Sequence, residues 1–351
     1  MNVAAKNTNR DTQSWEPLSI HSAGLCCAVG YSLAAASCAL RAGMDHFQES
    51  EFVDHSGEEL KVARLPLGEI WGPKRLAQIV KIAVLDCANA TGGIDTAATV
   101  LLLLAAERER PQTDTEHYNE IYRACEEQFE HKFHAGSAVF PQGRAGIGDA
   151  LWQAQTLLRN NTVKQVLLVG CDSFLDAATI EQFLEQERLL HAGNANGFIP
   201  GEGAAALLLM LATDSSSGLH ILGVGTATEQ SRPDGDIPNR AIGLTQAIRL
   251  ACEHAGIQPN ELELRMTDQN GEQYFAKEAA NAYTRIMVKD GVGLPLFHIA
   301  DCVGETGAAA GPISLAYLST LLGRTDGPGT TALLHFANDD GRRTALVVEH
   351  R

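Results

Sequence analysis

The fold of this 351-residue chain is decided by the stretch Val303-Gly304-Glu305-Thr306-Gly307-Ala308-Ala309-Ala310-Gly311. Glycine and alanine dominate it, so the backbone can turn tightly and neighbouring elements can approach closely. Glu305 supplies the one charged side chain of the stretch. The segment therefore predicts a closely packed backbone turn that carries a single carboxylate.

Three further segments precede this stretch. The first, Ser19 to Gly30, is typical of a strand that ends in a glycine turn, and the second is Val166 to Gly170 followed by Cys171-Asp172-Ser173. The third is the loop Asn196-Gly197-Phe198-Ile199-Pro200-Gly201-Glu202-Gly203-Ala204-Ala205. In this order, and together with Gly304 to Gly311, they resemble the signature segments of the β-ketoacyl synthases, a branch of the thiolase-like superfamily. The resemblance covers nearly the full length of the chain.

The resemblance implies an α/β fold of the thiolase-like type, with two duplicated halves in five αβαβα layers, usually as a homodimer. We expect a flexible N-terminal tail over residues 1–16, a first half over 17–212 and a second half over 218–351. The run Asp214 to Gly218 is the clearest linker. On the pattern of alternating strands and helices alone, a plain doubly wound fold remains an alternative.

Apolar periodicity predicts the individual elements. Helices are expected at 32–42, 72–90, 118–129, 148–160, 239–255, 272–288 and 307–322. Strands are expected at 17–22, 97–106, 166–170, 204–210, 220–224, 261–266, 296–300, 331–335 and 344–349.

The chain carries 27 Lys and Arg against 43 Asp and Glu, a net charge of −16. This charge argues against a nucleic-acid partner, because duplex binding requires cations that neutralise phosphates. It also argues against an acidic carrier protein unless a local basic patch exists. Two sets could supply one, and we interpret both as solvated, mixed-charge surface. They are Arg108 and Arg110 with Lys132, and Arg342 and Arg343 with Arg351.

The eight cysteines show neither a Cys-x-x-Cys pair nor metal-ligand spacing. They are expected to be reduced, buried residues of a cytoplasmic protein that holds no metal or cofactor. The first fifteen residues contain no apolar signal segment. The longest apolar run, 97–106, is too short to span a bilayer, so no membrane partner is expected.

In β-ketoacyl synthases a cysteine at a helix N-terminus takes the acyl group, two histidines promote decarboxylation, and a lysine supports the site. The resemblance places the cysteine position at Ala145, and the residues within two positions of it are not nucleophiles either. Asn270 takes the first histidine position, with Asp268 as the runner-up. Glu305 takes the second histidine position, and Ala300 takes the lysine position. The resemblance therefore predicts that the condensing residues are lost.

What remains of the site is expected to be a vestigial pocket formed by Asn270, Glu305, Thr306 and Phe336. Gly201, Glu202, Gly203, Gly304 and Gly311 are expected to be structural, with Glu202 accepting backbone N–H groups in its glycine turn.

Structural roles are favoured over functional ones for the remaining candidate residues. Gly143–Gly148 could cradle a phosphate at a helix start, although close packing at a dimer interface fits its spacing better. Cys302 could be a displaced nucleophile, but a core residue is favoured, as it is for Cys171 and His298.

The leading hypothesis is a β-ketoacyl synthase-like pseudoenzyme that acts as a scaffold or adaptor. Its partner would be a copy of itself, a related ketosynthase or a bacterial secretion effector. The competing hypothesis is an active acyltransferase or decarboxylase that uses Glu305, Asn270 or a cysteine in an unusual mechanism.

Overall fold

The computed structural model describes residues 14–287 and 293–351, together with the backbone of Asn2–Val3. Residues 1 and 4–13 of the predicted tail, and residue 288 at the end of the predicted helix 272–288, lie outside the described residues. At the near end of the tail, Trp15 is buried, and its indole N–H donates to the carbonyl oxygen of Ile221 at 3.1 Å. This hydrogen bond ties the start of the first half to the second half.

The strands are β1 Asn2–Val3, β2 Leu18–Cys27, β3 Phe47–Val53, β4 Glu59–Ala63, β5 Thr99–Ala105, β6 Ala138–Pro141, β7 Gln165–Ser173, β8 Glu202–Leu211, β9 Leu219–Thr228, β10 Leu264–Thr267, β11 Leu296–His298, β12 Thr331–Ala337 and β13 Arg342–His350. The helices are α1 Leu33–Arg41, α2 Gly72–Asn89, α3 Thr115–Glu126, α4 Ile147–Arg159, α5 Ala177–Glu185, α6 Ile242–Ala255, α7 Gln273–Ile286, α8 Ala300–Val303 and α9 Ala310–Leu321.

The sheet order reveals the duplication. The first half runs β6-β5-β7-β8-β2 and the second runs β9-β13-β12-β10-β11. We leave out β1, which pairs with β6 at the edge of the sheet, and the separate β3–β4 hairpin, and number the other strands in chain order within each half. They then follow 3-2-4-5-1 in the first half and 1-5-4-2-3 in the second, which is the same order read from the opposite end. In both halves the fifth strand, β8 or β13, is antiparallel to its neighbours. Pairing of Leu18 with Ile221 and of Ser19 with His220 joins the two halves.

The layers follow from which faces are apolar. α4 and α9 lie in the middle, where Leu151 and Leu318 share one core with Leu102 of the first half and Leu334 of the second. α2 and α3 cover the outer face of the first half, and α6 and α7 cover the outer face of the second. The predicted five-layer αβαβα arrangement is therefore confirmed. None of the helices in the described part of the chain is long and apolar enough to cross a membrane.

Three predicted elements begin three residues later than expected. One is the helix predicted at 239–255, which starts at Ile242. The strand predicted at 261–266 starts at Leu264, because Pro259–Glu261 forms a 3₁₀ turn. The helix predicted at 307–322 starts at Ala310, after a 3₁₀ turn at Gly307–Ala309. The β3–β4 hairpin, β6, α5 and α8 were not predicted from the sequence. Most β3 residues are exposed or only half-buried, which gives the strand little apolar periodicity to detect.

Gly225 should be intolerant of a side chain. A Cβ at this position of β9 would lie 2.0 Å from the carbonyl oxygen of Ala247 in α6, and backbone atoms cannot move aside cheaply. We expect Gly225→Ala to lower the free energy of unfolding by about 1–3 kcal/mol in urea denaturation. The control is Gly235→Ala, whose Cβ would have its nearest neighbour at 3.7 Å. Equal stability of the two variants would contradict the close packing of β9 against α6.

Candidate functional site

The predicted nucleophile position lies at a strand-to-helix turn. β6 ends at Pro141, Gly143 adopts φ 62° and ψ −154°, and a 3₁₀ turn over Arg144–Gly146 leads into α4. Only glycine adopts this backbone conformation readily. The turn therefore places Ala145 just before a central helix, and the sequence resemblance aligns this position with the cysteine of β-ketoacyl synthases.

Ala145 is completely buried and its backbone groups are already bonded. Its N–H donates to Oδ1 of Asn338 at 2.8 Å, and its carbonyl oxygen accepts from the Thr344 hydroxyl at 2.7 Å. The Asn338 amide in turn donates to the carbonyl oxygen of Gln142. The Ala145 N–H at the start of the helix is therefore already hydrogen-bonded to the Asn338 side chain.

Asn270 and Glu305, two of the residues predicted for the vestigial pocket, lie in direct contact. The Asn270 amide donates to Oε2 of Glu305 at 2.5 Å, and the Gly307 N–H donates to Oε1 at 2.7 Å. The Asn270 amide also donates to Glu272 at 3.2 Å. Both oxygens of Glu305 thus accept hydrogen bonds, which a carboxylate that is only 4% exposed requires.

Arg144 is the main partner of Glu305, and the sequence analysis missed it. Its guanidinium donates to Oε2 of Glu305 at 3.0 Å, and it lies 3.6 Å from Asp268 and 4.0 Å from Asp339. It also stacks 4.9 Å from the ring centroid of Phe275. Burial alone would lower the pKa of Arg144, but these carboxylates raise it above its usual value. The arginine is therefore a permanent cation at the centre of the site.

A second arginine extends the network towards the surface. Arg188 donates to both oxygens of Glu272 at 2.6 and 3.0 Å, and to both oxygens of Asp339 at 2.6 and 3.2 Å. The Asp339 side chain is 49% exposed, so the network runs from solvent to the buried Glu305.

We call this network the ion-pair cluster; its members are Arg144, Arg188, Asp268, Asn270, Glu272, Glu305 and Asp339. Two guanidiniums face four carboxylates in it. If all four carboxylates are ionised, the cluster carries excess negative charge, which disfavours an anionic substrate.

Asp268 has the most perturbed carboxyl group of the cluster. Burial raises its pKa to about 6, although Arg144 and the Ala337 N–H, which donates at 2.8 Å, act in the opposite direction. The sequence analysis ranked Asp268 second to Asn270 for one histidine position. In the structure, both residues belong to the cluster.

The other predicted pocket residues have different surroundings. Thr306 and Phe336 are buried, and the Thr306 hydroxyl has no hydrogen-bond partner among the described residues. Ala300 begins α8, and its carbonyl oxygen accepts from the Gly304 N–H at 3.0 Å. None of the three is bonded to the ion-pair cluster within the described ranges.

The two glycine-rich motifs owe their composition to their contact with each other. The Gly201 N–H donates to the carbonyl oxygen of Glu305 at 3.0 Å, and the Glu305 N–H donates to that of Ile199 at 2.8 Å. A Cβ on Gly201 would lie 2.3 Å from the Val303 carbonyl oxygen, and one on Gly304 would lie 2.7 Å from that of Ile199. These glycines permit the backbone contact that places Glu305.

Gly311 and Gly203 lie at further close contacts. A Cβ on Gly311 would lie 2.7 Å from Ile147, so this glycine lets α9 approach α4. A Cβ on Gly203 would lie 3.1 Å from Ile313.

Glu202 differs from the prediction in its main partner. It is fully buried and forms a bidentate pair with Arg75, at 2.7 and 2.6 Å. The only backbone N–H that donates to it among the described residues is that of Leu65, at 2.9 Å. Because a buried carboxylate requires a counter-charge, the expectation of N–H donors alone was incomplete.

The two sets of basic residues are not simple solvated surface. Arg110 is buried and lies 2.6 Å from Glu107 and 3.5 Å from Asp172. Arg343 is fully buried in a bidentate pair with Glu278. For these two arginines the prediction was wrong. Arg110 is held by the partly exposed Glu107 and the buried Asp172, and Arg343 is held by the buried Glu278.

The remaining candidates are not activated. Burial raises the pKa of the Cys302 and Cys171 thiols, which disfavours the nucleophilic thiolate. Burial lowers the pKa of His298, whose Nδ1 lies 2.8 Å from the Thr267 hydroxyl. Across residues 14–287 and 293–351, no group of three or more His, Cys, Asp or Glu side chains could hold a metal ion.

The chain is similar in sequence to two known proteins. No protein-family model matches the chain. It is 27% identical over 247 residues to "Actinorhodin polyketide putative beta-ketoacyl synthase 2" of Streptomyces coelicolor, covering 65% of the chain and 59% of that protein. It is 28% identical over 172 residues to the tetracenomycin polyketide synthase ketoacyl synthase beta subunit of Streptomyces glaucescens, covering 44% and 41%. The matches thus span about half the length of these curated relatives.

Solved structures match over almost the entire chain. One is a type II polyketide synthase acyl-carrier protein in complex with its ketosynthase, with a TM-score of 0.79, 14% identity, and coverage of 97% of this chain and 100% of that chain. Another is a ketosynthase in complex with its chain length factor from Xenorhabdus doucetiae, with a TM-score of 0.73, 15% identity, and coverage of 96% and 98%. The ishigamide ketosynthase/chain length factor matches with a TM-score of 0.70, 16% identity, and coverage of 96% and 99%.

The fold is therefore that of the thiolase-like superfamily. The chain is β-ketoacyl synthase-like in fold and is similar in sequence to β-ketoacyl synthase proteins, which confirms the resemblance carried by the four sequence motifs. The loss of condensing activity stays a prediction.

The raised pKa of Asp268 predicts an unusual pH dependence. Its folded-state pKa of about 6 lies above the ordinary value of 3.8, so the folded protein binds this proton more tightly than the unfolded chain. Its contribution to stability therefore falls as the pH rises from about 4 to 6. We expect Asp268→Asn to reduce this fall in stability, measured by chemical denaturation across that pH range, because asparagine does not titrate there. The variant should still fold, since the asparagine side-chain oxygen can accept the Ala337 N–H. An unchanged pH profile would contradict the assignment.

Proposed function

We propose that this chain is a non-condensing β-ketoacyl synthase-like protein that works in the cytoplasm as the binding partner of a ketosynthase. In this role it would resemble the beta subunits and chain length factors among its relatives. The observation that supports the proposal is the ion-pair cluster, because it contains Asn270 and Glu305, which the sequence resemblance aligns with the two histidine positions of condensing enzymes.

The chemistry of condensation requires groups that these positions do not supply. A nucleophile must attack the acyl carbonyl, and N–H donors must be free to stabilise the oxyanion. Ala145 has no nucleophilic atom, and its N–H is bonded to Asn338. Glu305 accepts hydrogen bonds from Arg144, Asn270 and Gly307, so it stabilises cations and donors rather than a developing anion.

The cysteines support the same conclusion. Seven of the eight are buried, and Cys38 is the exposed one. Burial raises the pKa of Cys27 to about 12 and those of Cys87 and Cys252 to about 11. A displaced thiolate nucleophile among these residues is therefore disfavoured near neutral pH. This weighs against the alternative of an active acyltransferase with a non-standard site.

The proposed partner is chosen from the complexes in which similar proteins were solved. Two of the matching structures combine a ketosynthase with a chain length factor, and a third contains an acyl-carrier protein with its ketosynthase. Under this proposal, the chain would keep the fold because it keeps the surface through which such subunits pair. A homodimer and a complex with a secretion effector are the competing assemblies.

The first prediction concerns covalent chemistry. Incubation with acetyl and malonyl thioesters should leave the intact mass unchanged, and malonyl thioester should not lose carbon dioxide faster than in buffer. A Cys38→Ala background removes trivial labelling of the exposed thiol. A stoichiometric adduct that disappears when one buried cysteine is replaced would overturn the non-condensing proposal. So would decarboxylation that Glu305→Gln abolishes.

The second prediction concerns assembly. Co-expression with the ketosynthase of a type II polyketide synthase should yield a 1:1 complex in light scattering, because the proposed role is to pair with such a subunit. The chain expressed alone is the control. A chain that stays monomeric at micromolar concentration in the presence of the ketosynthase would contradict the partner assignment.

A further inference from the structure

A small cavity lies beneath α7 on the outer face of the second half. Arg265 of β10, His335 of β12 and Tyr283 of α7 line it together with apolar side chains. Its volume is about 10 Å³, which is room for about one water-sized group. None of these three residues belongs to the ion-pair cluster, so the cavity is separate from the site described above.

The sheet brings Arg265 and His335 to the same face. Thr267 of β10 pairs with His335 of β12, and Arg265 lies two residues before Thr267. Because side chains alternate along a strand, all three point to one side of the sheet. Leu333, two residues before His335, packs in one core cluster with Ala279 of α7, so α7 covers this face.

His335 is a buried donor without an acceptor. The residue is 3% exposed, and its Nδ1 has no hydrogen-bond partner among the described residues. Burial, together with the nearby Arg265 guanidinium, lowers the pKa of His335 to about 3. The ring is therefore neutral near neutral pH, and one of its nitrogens carries an N–H. Because a buried polar group without a partner costs free energy, the cavity requires an acceptor.

Arg265 presents further unused donors. Its guanidinium stacks 3.7 Å from the centroid of the Tyr283 ring, which occupies the flat face and leaves the N–H groups at the edge. Its Nε is buried and has no hydrogen-bond partner in the described part of the chain. Burial lowers the pKa of Arg265, whereas Arg144, which is also buried, has its pKa raised by carboxylates. Arg265 is therefore a cation that lacks a counter-charge.

The acidic residues of the neighbouring segments are engaged elsewhere. Glu261 and Glu263 accept backbone N–H groups at 2.6 Å, and Glu278 of α7 forms its bidentate pair with Arg343. Within residues 14–287 and 293–351, no carboxylate forms an ion pair with Arg265. The donors of the cavity therefore need an acceptor that these carboxylates do not supply.

We propose that this cavity binds a chloride-sized anion, which accepts hydrogen bonds from the Arg265 guanidinium and the ring N–H of His335. An anion accepts several hydrogen bonds and brings the charge that Arg265 lacks, whereas a water molecule brings no charge and needs acceptors for its own hydrogens. The volume favours a monatomic anion over phosphate. Arg265 is half-buried, so the ion can enter from solvent. Once bound, the ion links β10 and β12 to the end of α7.

The test measures the stability of the full chain while chloride replaces gluconate at constant ionic strength and neutral pH. An anion that binds only the folded state stabilises it, so the urea midpoint should rise with chloride and then saturate. Gluconate is too large for the cavity and serves as the reference anion. Broadening of the chloride NMR line measures binding directly, and bromide should compete. Hydrogen exchange at the end of α7 should slow when chloride is present.

Two variants remove one donor each. Arg265→Met and His335→Phe should each weaken the apparent chloride affinity at least about tenfold, because each removes a hydrogen bond to an anion. His335→Phe should fold, since it replaces an unsatisfied polar ring with an apolar one. The matched control is Arg249→Met, at an exposed arginine of α6, which should keep the wild-type chloride affinity within about twofold.

Two results would overturn the proposal. The first is the absence of a saturable chloride effect on the wild type, which would assign the cavity to water. The second is an equal chloride response in the wild type, Arg265→Met and His335→Phe, which would place the bound ion elsewhere on the protein.

Discussion

The contact between Arg144 and Glu305 organises the site around which the two halves of the molecule meet. Arg144 comes from the turn before α4 in the first half, and Glu305 comes from the glycine-rich turn before α9 in the second. Each charge is buried and would be costly without the other. The remaining carboxylates and amides of the cluster are arranged around this pair.

The position of Glu305 itself is set by backbone geometry. Its N–H and carbonyl oxygen bond to Ile199 and Gly201, and neither Gly201 nor Gly304 has room for a side chain. The motif can therefore keep its glycines while its functional side chain changes. This separation explains how the sequence resembles condensing enzymes so closely in its turns and yet places a carboxylate at the centre.

Most helices and strands could be predicted from local patterns, whereas the five-layer arrangement was predicted from the resemblance, because the local patterns also fitted a plain doubly wound fold. Continuous apolar strands, amphipathic helices and glycine turns can each be recognised within a short segment of sequence. The two close-packed motifs require their glycines for steric reasons. The contact between Asn270 and Glu305 could be predicted because the resemblance aligned both positions with one site. The β3–β4 hairpin could not, since few of its residues are buried.

The ion pairs of the site could not be predicted from the sequence. Arg144 was visible beside Ala145, but Arg188 and Asp339 are separated by 151 residues, and charge pairing at that distance leaves no local pattern. The burial of Arg110 and Arg343 was missed for a related reason: composition shows the charge of a side chain and not the depth at which it lies. Buried ion pairs are therefore the part of this site that required the structure.

A double-mutant cycle on Arg144 and Glu305 tests the central claim most directly. Arg144→Met alone should lower the free energy of unfolding by about 3–5 kcal/mol, because it leaves buried carboxylates without their cation. The pair Arg144→Met/Glu305→Gln should cost less than the sum of the single variants, with a coupling of about 1–3 kcal/mol in chemical denaturation. Additive effects with a coupling below about 0.5 kcal/mol would contradict the account, since the two side chains would then not be paired in the folded protein.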